Sequence, residues 1–392
     1  MPTITKRNNT YRIRVSCGYD TSGKQIIRSM TWSPSPGMTA RQTEKELAKV
    51  ASAFETKVQS GDYIEASDMK LADFAQQYLE MSQNILAPTT LHLYKRIVKE
   101  IITPTLGHLK LKDIKPFHAQ RLIDAMTAEG KISASTVKRY FTVLQAIMSK
   151  AYKLGLIDRN PTETARLDMP ELEEAEVEIF SKDEAAHMLS CLDGEPLKFQ
   201  LLIHLAIVTG ARRGELVALQ WEHIDMKRAT ITIKQSNYKL TGQDIATKKP
   251  KTKGSVREVA IPAYLVDMCR AFRIEQLKEK MRLGDAWHDT GYVFCKWNGE
   301  PMHPNTPTDA FADFLKRHDI PHRKFHALRH TSATLLLTSG TNIKTVGARL
   351  GHTQLATTNR YVHALRDADE AAAQTFADLI AKPTDKAKQK AE

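Results

Sequence analysis

Between Asp168 and Glu178 the chain reads DMPELEEAEVE, an acidic run with no apolar period. Such a segment has almost nothing to bury, so it cannot run through a core. The chain on either side of it must therefore fold into separate bodies. At roughly 100–200 residues per domain, the 392 residues suggest two to four domains. We read 168–178 as a linker, with domains over 1–62 and 67–167 before it and over 179–382 after it. The Lys/Ala-rich tail, 383–392, is expected to be disordered.

Outside the linker the balance is basic, and the whole chain carries a net charge of +12. That favours a polyanion partner: DNA, RNA or an anionic membrane surface. No apolar run reaches the ~20 residues needed to span a bilayer. The opening MPTITKRNNTYRIRV lacks the apolar stretch of a signal peptide. A cytoplasmic protein without a membrane partner is expected. Cys17, Cys191, Cys269 and Cys295 form no C-x-x-C pair, which argues against a zinc ribbon or a disulfide framework.

The expected fold is multidomain and mainly α with small β-sheets: a three-stranded sheet plus helix, then a helical domain, then a mixed α+β domain. In the first part Tyr11 to Val15 alternates as a strand does, and Lys24 to Trp32 forms another strand. Thr39 can cap a helix through Val58. Arg12, Arg14, Lys24 and Arg28 are expected to share one basic sheet face, either a nucleic-acid contact or a solvated surface. From Ser67 to Leu167 apolar residues recur at helix spacing, for example Leu71, Phe74, Ala75, Tyr78 and Leu79. Ser133 or Ser135 can cap the last of these helices. Lys95, Arg96, Lys138 and Arg139 lie on them as candidate nucleic-acid contacts. Asn160-Pro161 closes the unit. Ser181 and Glu184 have capping-box spacing. They open a domain with an apolar helix, Leu197 to Val208, then strands at Ala229–Lys234 and Val256–Ile261, then helices from Pro262 and Thr306.

Three segments of the last domain carry chemistry. Thr209-Gly210-Ala211-Arg212-Arg213-Gly214-Glu215-Leu216 sets two arginines beside glycines after the apolar helix. A guanidinium fork suits phosphate, and an ion pair with Glu215 is the competing reading. In His326-Ala327-Leu328-Arg329-His330-Thr331, His326 and Arg329 share a helix face. A cation and a proton-transfer group then aim at one spot. His326 and His330 also have the i, i+4 spacing of zinc proteases, but Ala327 stands where those enzymes need glutamate. The third segment runs from Leu350-Gly351-His352 to Tyr361. A phenol, with a pKa near 10, is a poor nucleophile unless cations surround it.

T-G-x-R-x-x-E-L, H-x-x-R-H-T, and L-G-H with a tyrosine nine residues on, in that order, resemble the signature of the tyrosine recombinases, the phage and conjugative-transposon integrases. The resemblance implies an arm-type DNA-binding domain at 1–62, a SAM-like core-binding domain at 67–167 and a catalytic domain at 179–382. Arg212 and Arg329 match the two arginines that hold the scissile phosphate. His326 matches the proton acceptor or hydrogen-bond donor, His352 a phosphate brace and Tyr361 the nucleophile. A lysine turn at Thr247–Gly254 offers the general acid: Lys251, with Lys253 next and Lys249 also present. Many relatives have aspartate at the position of Ala327. The resemblance further implies no metal, no ATP and no other cofactor. It implies double-stranded DNA partners at core crossover and arm sites in a bacterial host, a homotetramer on DNA and room for an accessory DNA-bending or excision factor. Residues Ala371 to Ile380 resemble the helix that docks on a neighbouring subunit, the alternative being that it packs on its own protomer. A non-catalytic DNA-binding protein derived from an integrase is the alternative from another class, and a type IB topoisomerase is a closer one. A metal-dependent nuclease would need carboxylate clusters, which these motifs lack.

Overall fold

The computed structural model describes residues 2–19, 23–59, 68–128, 130, 132–172, 178–248, 256–352 and 358. Its residues cluster into two compact units, Met1–Glu174 and Ala175–Glu392.

The first unit opens with strands β1 (Thr3–Arg7), β2 (Thr10–Tyr19) and β3 (Gln25–Trp32), an antiparallel sheet in that order. Helix α1 (Ala40–Gln59) follows. Thr39 precedes it, with its backbone N–H donating to Gln42 Oε1 at 2.9 Å. Strand alternation sends Ile13 and Val15 inward against Leu47, Ala51, Phe54 and Val58 of α1, while Arg12 and Arg14 stay exposed on the other face. The expected single basic face does not hold for Arg28. Val15 pairs with Arg28, Arg14 with Ser29 and Arg12 with Thr31. Cross-strand partners share a face, so Arg28 stands beside Val15 on the helix-covered side. Lys24 lies exposed just before β3. The β2–β3 register decides this, and a shift of one residue would reverse it.

Next come α2 (Leu71–Ser82) and α3 (Pro88–Ile97), a π-helical turn (Val98–Ile102) and α4 (Thr103–Leu106), then α5 (Pro116–Ala128) and α6 (Ala134–Lys153). Pro104 explains the π turn: it has no N–H for the usual bond one turn back, so the helix rewinds there. Thr103 N–H instead reaches Val98 O. Ser133 caps α6 by accepting from Thr136 N–H. Leu71, Phe74, Ile97, Ile123, Phe141 and Leu144 form the centre of this domain's core. Lys95, Arg96, Lys138 and Arg139 point to solvent.

The second unit begins with α7 (Lys182–Ser190), closed at its start by the Ser181/Glu184 capping box. Helix α8 (Leu197–Thr209) is predominantly apolar, with Lys198, Gln200 and His204 as its partly buried polar positions, as suits a central helix. Leu201, Ile203 and Leu205 are fully buried, and α8 packs between later helices. A short α9 (Arg213–Leu216) leads to β4 (Ile224–Asp225), β5 (Thr230–Ile233), a hairpin of β6 (Ser236–Lys239) and β7 (Ile245–Lys248), and β8 (Arg257–Ala260). Strands β4, β5 and β8 form one antiparallel sheet, β6 and β7 another. Then come α10 (Ala263–Leu283), α11 (Thr306–Arg317), α12 (Ala327–Thr338) and α13 (Ile343–Leu350). Both α10 and α12 pack on α8. No helix among the described residues is long and apolar enough to cross a membrane.

Candidate active site

The site is built where α8, α12 and α13 end or begin together. Helix α8 stops at Gly210, which adopts a left-handed φ of 59°. Only glycine takes this conformation without strain, and a Cβ there would also collide with Leu350. The turn delivers Arg212 as the extended residue before α9, at φ −68° and ψ 149°. Its backbone N–H donates to Glu215 Oε2 at 2.8 Å and its Nη1 to Oε1 at 3.0 Å. The same carboxylate accepts from Arg257 Nη2 at 2.7 Å. Two guanidinium groups thus share one carboxylate, so the ion pair leaves Arg212 with charge to offer. Arg212 keeps 45% of its side chain exposed, against 5% for Arg257. The ion-pair reading holds, since Glu215 is the partner of Arg212, and Arg212 nevertheless still faces solvent. Burial pushes the Glu215 carboxyl up, but the hydrogen bonds and charges of Arg257 and Arg212 outweigh it and hold it below its usual range. Arg213 turns elsewhere and donates to Thr308 Oγ1 at 2.7 Å.

Arg329 is almost completely buried, at 3% exposure. Its Nη1 donates to Gly210 O at 2.5 Å and its Nη2 to Leu350 O at 2.8 Å. One guanidinium thereby joins the end of α8 to the end of α13. Carbonyl oxygens orient a cation without cancelling its charge. His326 sits at the start of α12, one turn before Arg329. Burial first, then Arg329 and Arg212, hold its pKa below the usual histidine value, against a weaker pull from Glu215. Its ring meets His330 edge to face at 4.7 Å. Among the described residues no group of three His, Cys, Asp or Glu side chains is placed to hold a metal ion.

His352 follows Gly351, which also has a left-handed φ of 71°. Its Nδ1 lies 2.9 Å from the Oγ1 of buried Thr358. Burial, then the charges of Arg329, Arg212, Arg257 and His330, press its pKa down to about 4. At neutral pH both candidate imidazoles are therefore neutral. His326 can accept a proton, and His352 can share a hydrogen bond with an incoming oxygen.

The structure thus brings four residues singled out in the sequence, Arg212, His326, Arg329 and His352, into one electrostatic neighbourhood. Tyr361, Lys251 with Lys249 and Lys253, the segment 371–380 and the tail 383–392 lie outside the described residues. Two arginines were missed. Arg257 bridges Glu215 and the carbonyl of Arg349, and Arg349 Nη2 donates to Val208 O and Ala260 O, both at 2.9 Å. A signal for Arg257 was present: it shares strand phase with Val259 and Ile261, the buried side of β8. Arg349 had none, since a basic residue in a last helical turn is ordinary.

Residues 178–367 match the model of the Phage integrase family, and residues 70–127 match that of the Phage integrase N-terminal SAM-like domain. A tyrosine recombinase XerC-like protein of Caldanaerobacter subterraneus subsp. tengcongensis is 30% identical, over 94% of this chain and 96% of its own length. The ICEBs1 integrase of Bacillus subtilis is 26% identical, over 95% of this chain and 98% of its own. Among solved structures, the Tn1549 transposon integrase in complex with a circular intermediate DNA superposes with a TM-score of 0.66 at 20% identity, covering 79% of this chain and 99% of that one. A lambda integrase dimer bound to a core site gives a TM-score of 0.54 at 20% identity, covering 75% and 95%. These two likenesses speak to fold.

Proposed function

The chain belongs to the phage integrase family of tyrosine recombinases, and we propose that it is a site-specific recombinase that cuts and rejoins DNA to integrate or excise a mobile element. The observation that carries this reading is the meeting of Arg212, Arg329, His326 and His352 around the ends of α8 and α13. Two cationic forks and two neutral imidazoles suit a phosphodiester whose transition state spreads negative charge over its non-bridging oxygens.

In this mechanism Arg212 and Arg329 hold those oxygens and His352 braces one of them. The Tyr361 phenol oxygen attacks phosphorus while His326 accepts its proton. The phosphorus–O5′ bond breaks as the new bond forms, and Lys251, or Lys253 in its place, protonates the departing 5′ oxygen. The product is a 3′-phosphotyrosine and a free 5′ hydroxyl. The 5′ hydroxyl of a partner strand then attacks the phosphotyrosine and releases the tyrosine. The covalent link conserves the bond energy, so strand exchange needs no ATP. Four protomers exchange strands in turn through a Holliday junction.

The remaining assignments are part of the same proposal. Residues 1–62 bind arm sites through Arg12 and Arg14, with Lys24 beside them, while Arg28, on the opposite face, takes no part. Residues 67–167 bind the core site through Lys95, Arg96, Lys138 and Arg139. The relatives suggest the setting: one is the integrase of ICEBs1 and another that of a transposon, solved with circular intermediate DNA. The test is covalent trapping on a nicked suicide substrate made from the ends of the source element. Wild-type protein should give a protein–DNA adduct on a denaturing gel and Tyr361→Phe none. Tight binding with no adduct from either protein would favour a DNA-binding protein without catalysis.

A further inference from the structure

Arg257 belongs to no motif used so far, yet its guanidinium touches two parts of the site at once. Its Nη2 donates to Glu215 Oε2 at 2.7 Å, Nη1 faces Oε1 at 3.4 Å, and Nε donates to the carbonyl of Arg349 at 2.8 Å. Glu215 in turn holds both the backbone and the side chain of Arg212. The Arg349 carbonyl begins the turn that carries Gly351 and His352. Gly351 lies flat against the fork: a Cβ there would come within 2.9 Å of Arg257 Nη1 and 3.3 Å of its Cζ. Arg257 is also the first residue of β8, anchored by its pairing with Ile233.

Burying a guanidinium is expensive, and an apolar side chain of similar volume often stabilises a core as well or better. A purely structural demand for bulk here would be met by methionine with an apolar partner in place of Glu215, whereas methionine alone leaves the Glu215 carboxylate and the Arg349 carbonyl with one donor fewer. What methionine cannot do is grip a carboxylate and a carbonyl in one fixed plane.

We infer that Arg257 is a positioning residue for strand cleavage: through Glu215 it orients Arg212, and through the Arg349–Gly351 turn it sets His352. This deepens the recombinase reading and rests on it. Arg257 never touches the scissile phosphate; it fixes the angle between the groups that do. The glycine of L-G-H acquires a second reason beyond its φ, since any side chain would push the turn off the fork.

The experiment is single-turnover adduct formation on nicked DNA, followed across pH, with full-length wild type, Arg257→Met, Arg257→Lys and Glu215→Gln, alongside gel-shift affinity and thermal melting. Glu215 is faced by Arg212 from its own turn, Arg257 from β8 and His326 from the start of α12. Without Arg257, burial raises the Glu215 pKa, so the carboxylate that holds Arg212 is complete only at higher pH. Arg257→Met should therefore cut at least about tenfold more slowly near neutrality and recover in part as pH rises, with DNA affinity within about twofold of wild type. Glu215→Gln should be slow without that recovery. Arg257→Lys keeps the charge and the bulk and should melt like wild type, yet cut more slowly because it cannot hold both partners. A folded Arg257→Lys or Arg257→Met that cuts at the wild-type rate at every pH overturns the role. A slow Arg257→Met with no recovery at high pH also counts against it and leaves the recombinase reading standing. Wild-type protein that binds DNA but forms no adduct overturns that reading instead, and this role with it.

Discussion

Arginines serve the two ends of this molecule in opposite ways. On the N-terminal sheet, Arg12 and Arg14 are exposed, and among the described residues Arg12 donates to Ser29 Oγ at 3.3 Å. In the second unit, Arg257 and Arg329 are buried and every contact described for them is specific in direction. An exposed arginine can follow a DNA backbone wherever it runs, which suits binding. A buried one cannot move, which suits chemistry, because preorganised charge need not rearrange in the transition state. Under the proposed function, the difference predicts where a substitution acts: on affinity at the sheet, on rate and stability at the site.

The largest effect expected is that of Arg212→Lys. It should leave DNA binding near wild type while lowering adduct formation by about a hundredfold or more, because a point charge cannot replace the fork. A gel shift and a cleavage assay on the same DNA check it, and normal cleavage would show that Arg212 is not a phosphate clamp. Arg329→Met should come next and act on stability as well. It leaves the Gly210 and Leu350 carbonyls buried without this donor, at roughly 1–3 kcal/mol each. Urea unfolding of the variant against wild type measures that loss, and an unchanged midpoint would mean that these contacts do not brace the site.

A smaller effect comes from His352. Its folded pKa, about 4, lies below the ~6.5 of an unfolded histidine. The unfolded state therefore binds the proton first, and stability is complete above about pH 6.5 and lost as pH falls toward about 4. Screening of this half-exposed ring reduces the contribution to about 1–2 kcal/mol. His352→Gln should flatten the stability profile over that window, as followed by urea midpoints, and a profile as steep as wild type would assign the titration to another group. The smallest effect on folding should be that of Arg12→Ala with Arg14→Ala, within about 0.5 kcal/mol. Here the measurable change is arm-site affinity and its salt slope. Deleting residues 1–62 should likewise spare core-site binding while weakening recombination. Loss of core-site binding would erase the division of labour between the two ends.

Much of the architecture was legible because it is written in local periods. The alternation at Tyr11–Val15, the apolar run Leu197–Val208 and the caps at Ser133 and Ser181 appear where their patterns place them. Arg28 was misplaced because face depends on register with another strand. Arg257 was overlooked although it shares the buried phase of Val259 and Ile261, because that phase does not reveal its partners Glu215 and Arg349. Arg212 and Arg213 are adjacent and chemically alike, and only the spacing of T-G-x-R-x-x-E-L, not residue chemistry, distinguished them.

The sequence by itself determined the mainly helical multidomain fold, the family, and the residue types the site draws on. It could do so because helix and strand periods and motif spacings are properties of neighbours along the chain. Only the tertiary structure decided that Arg329 would close on Gly210 and Leu350, that Glu215 would be shared by Arg212 and Arg257, and that Arg28 would turn away from Arg12 and Arg14. Those partnerships join residues far apart in sequence. They are set by how helices pack and strands register, where each buried cation must find the acceptors that packing leaves within reach.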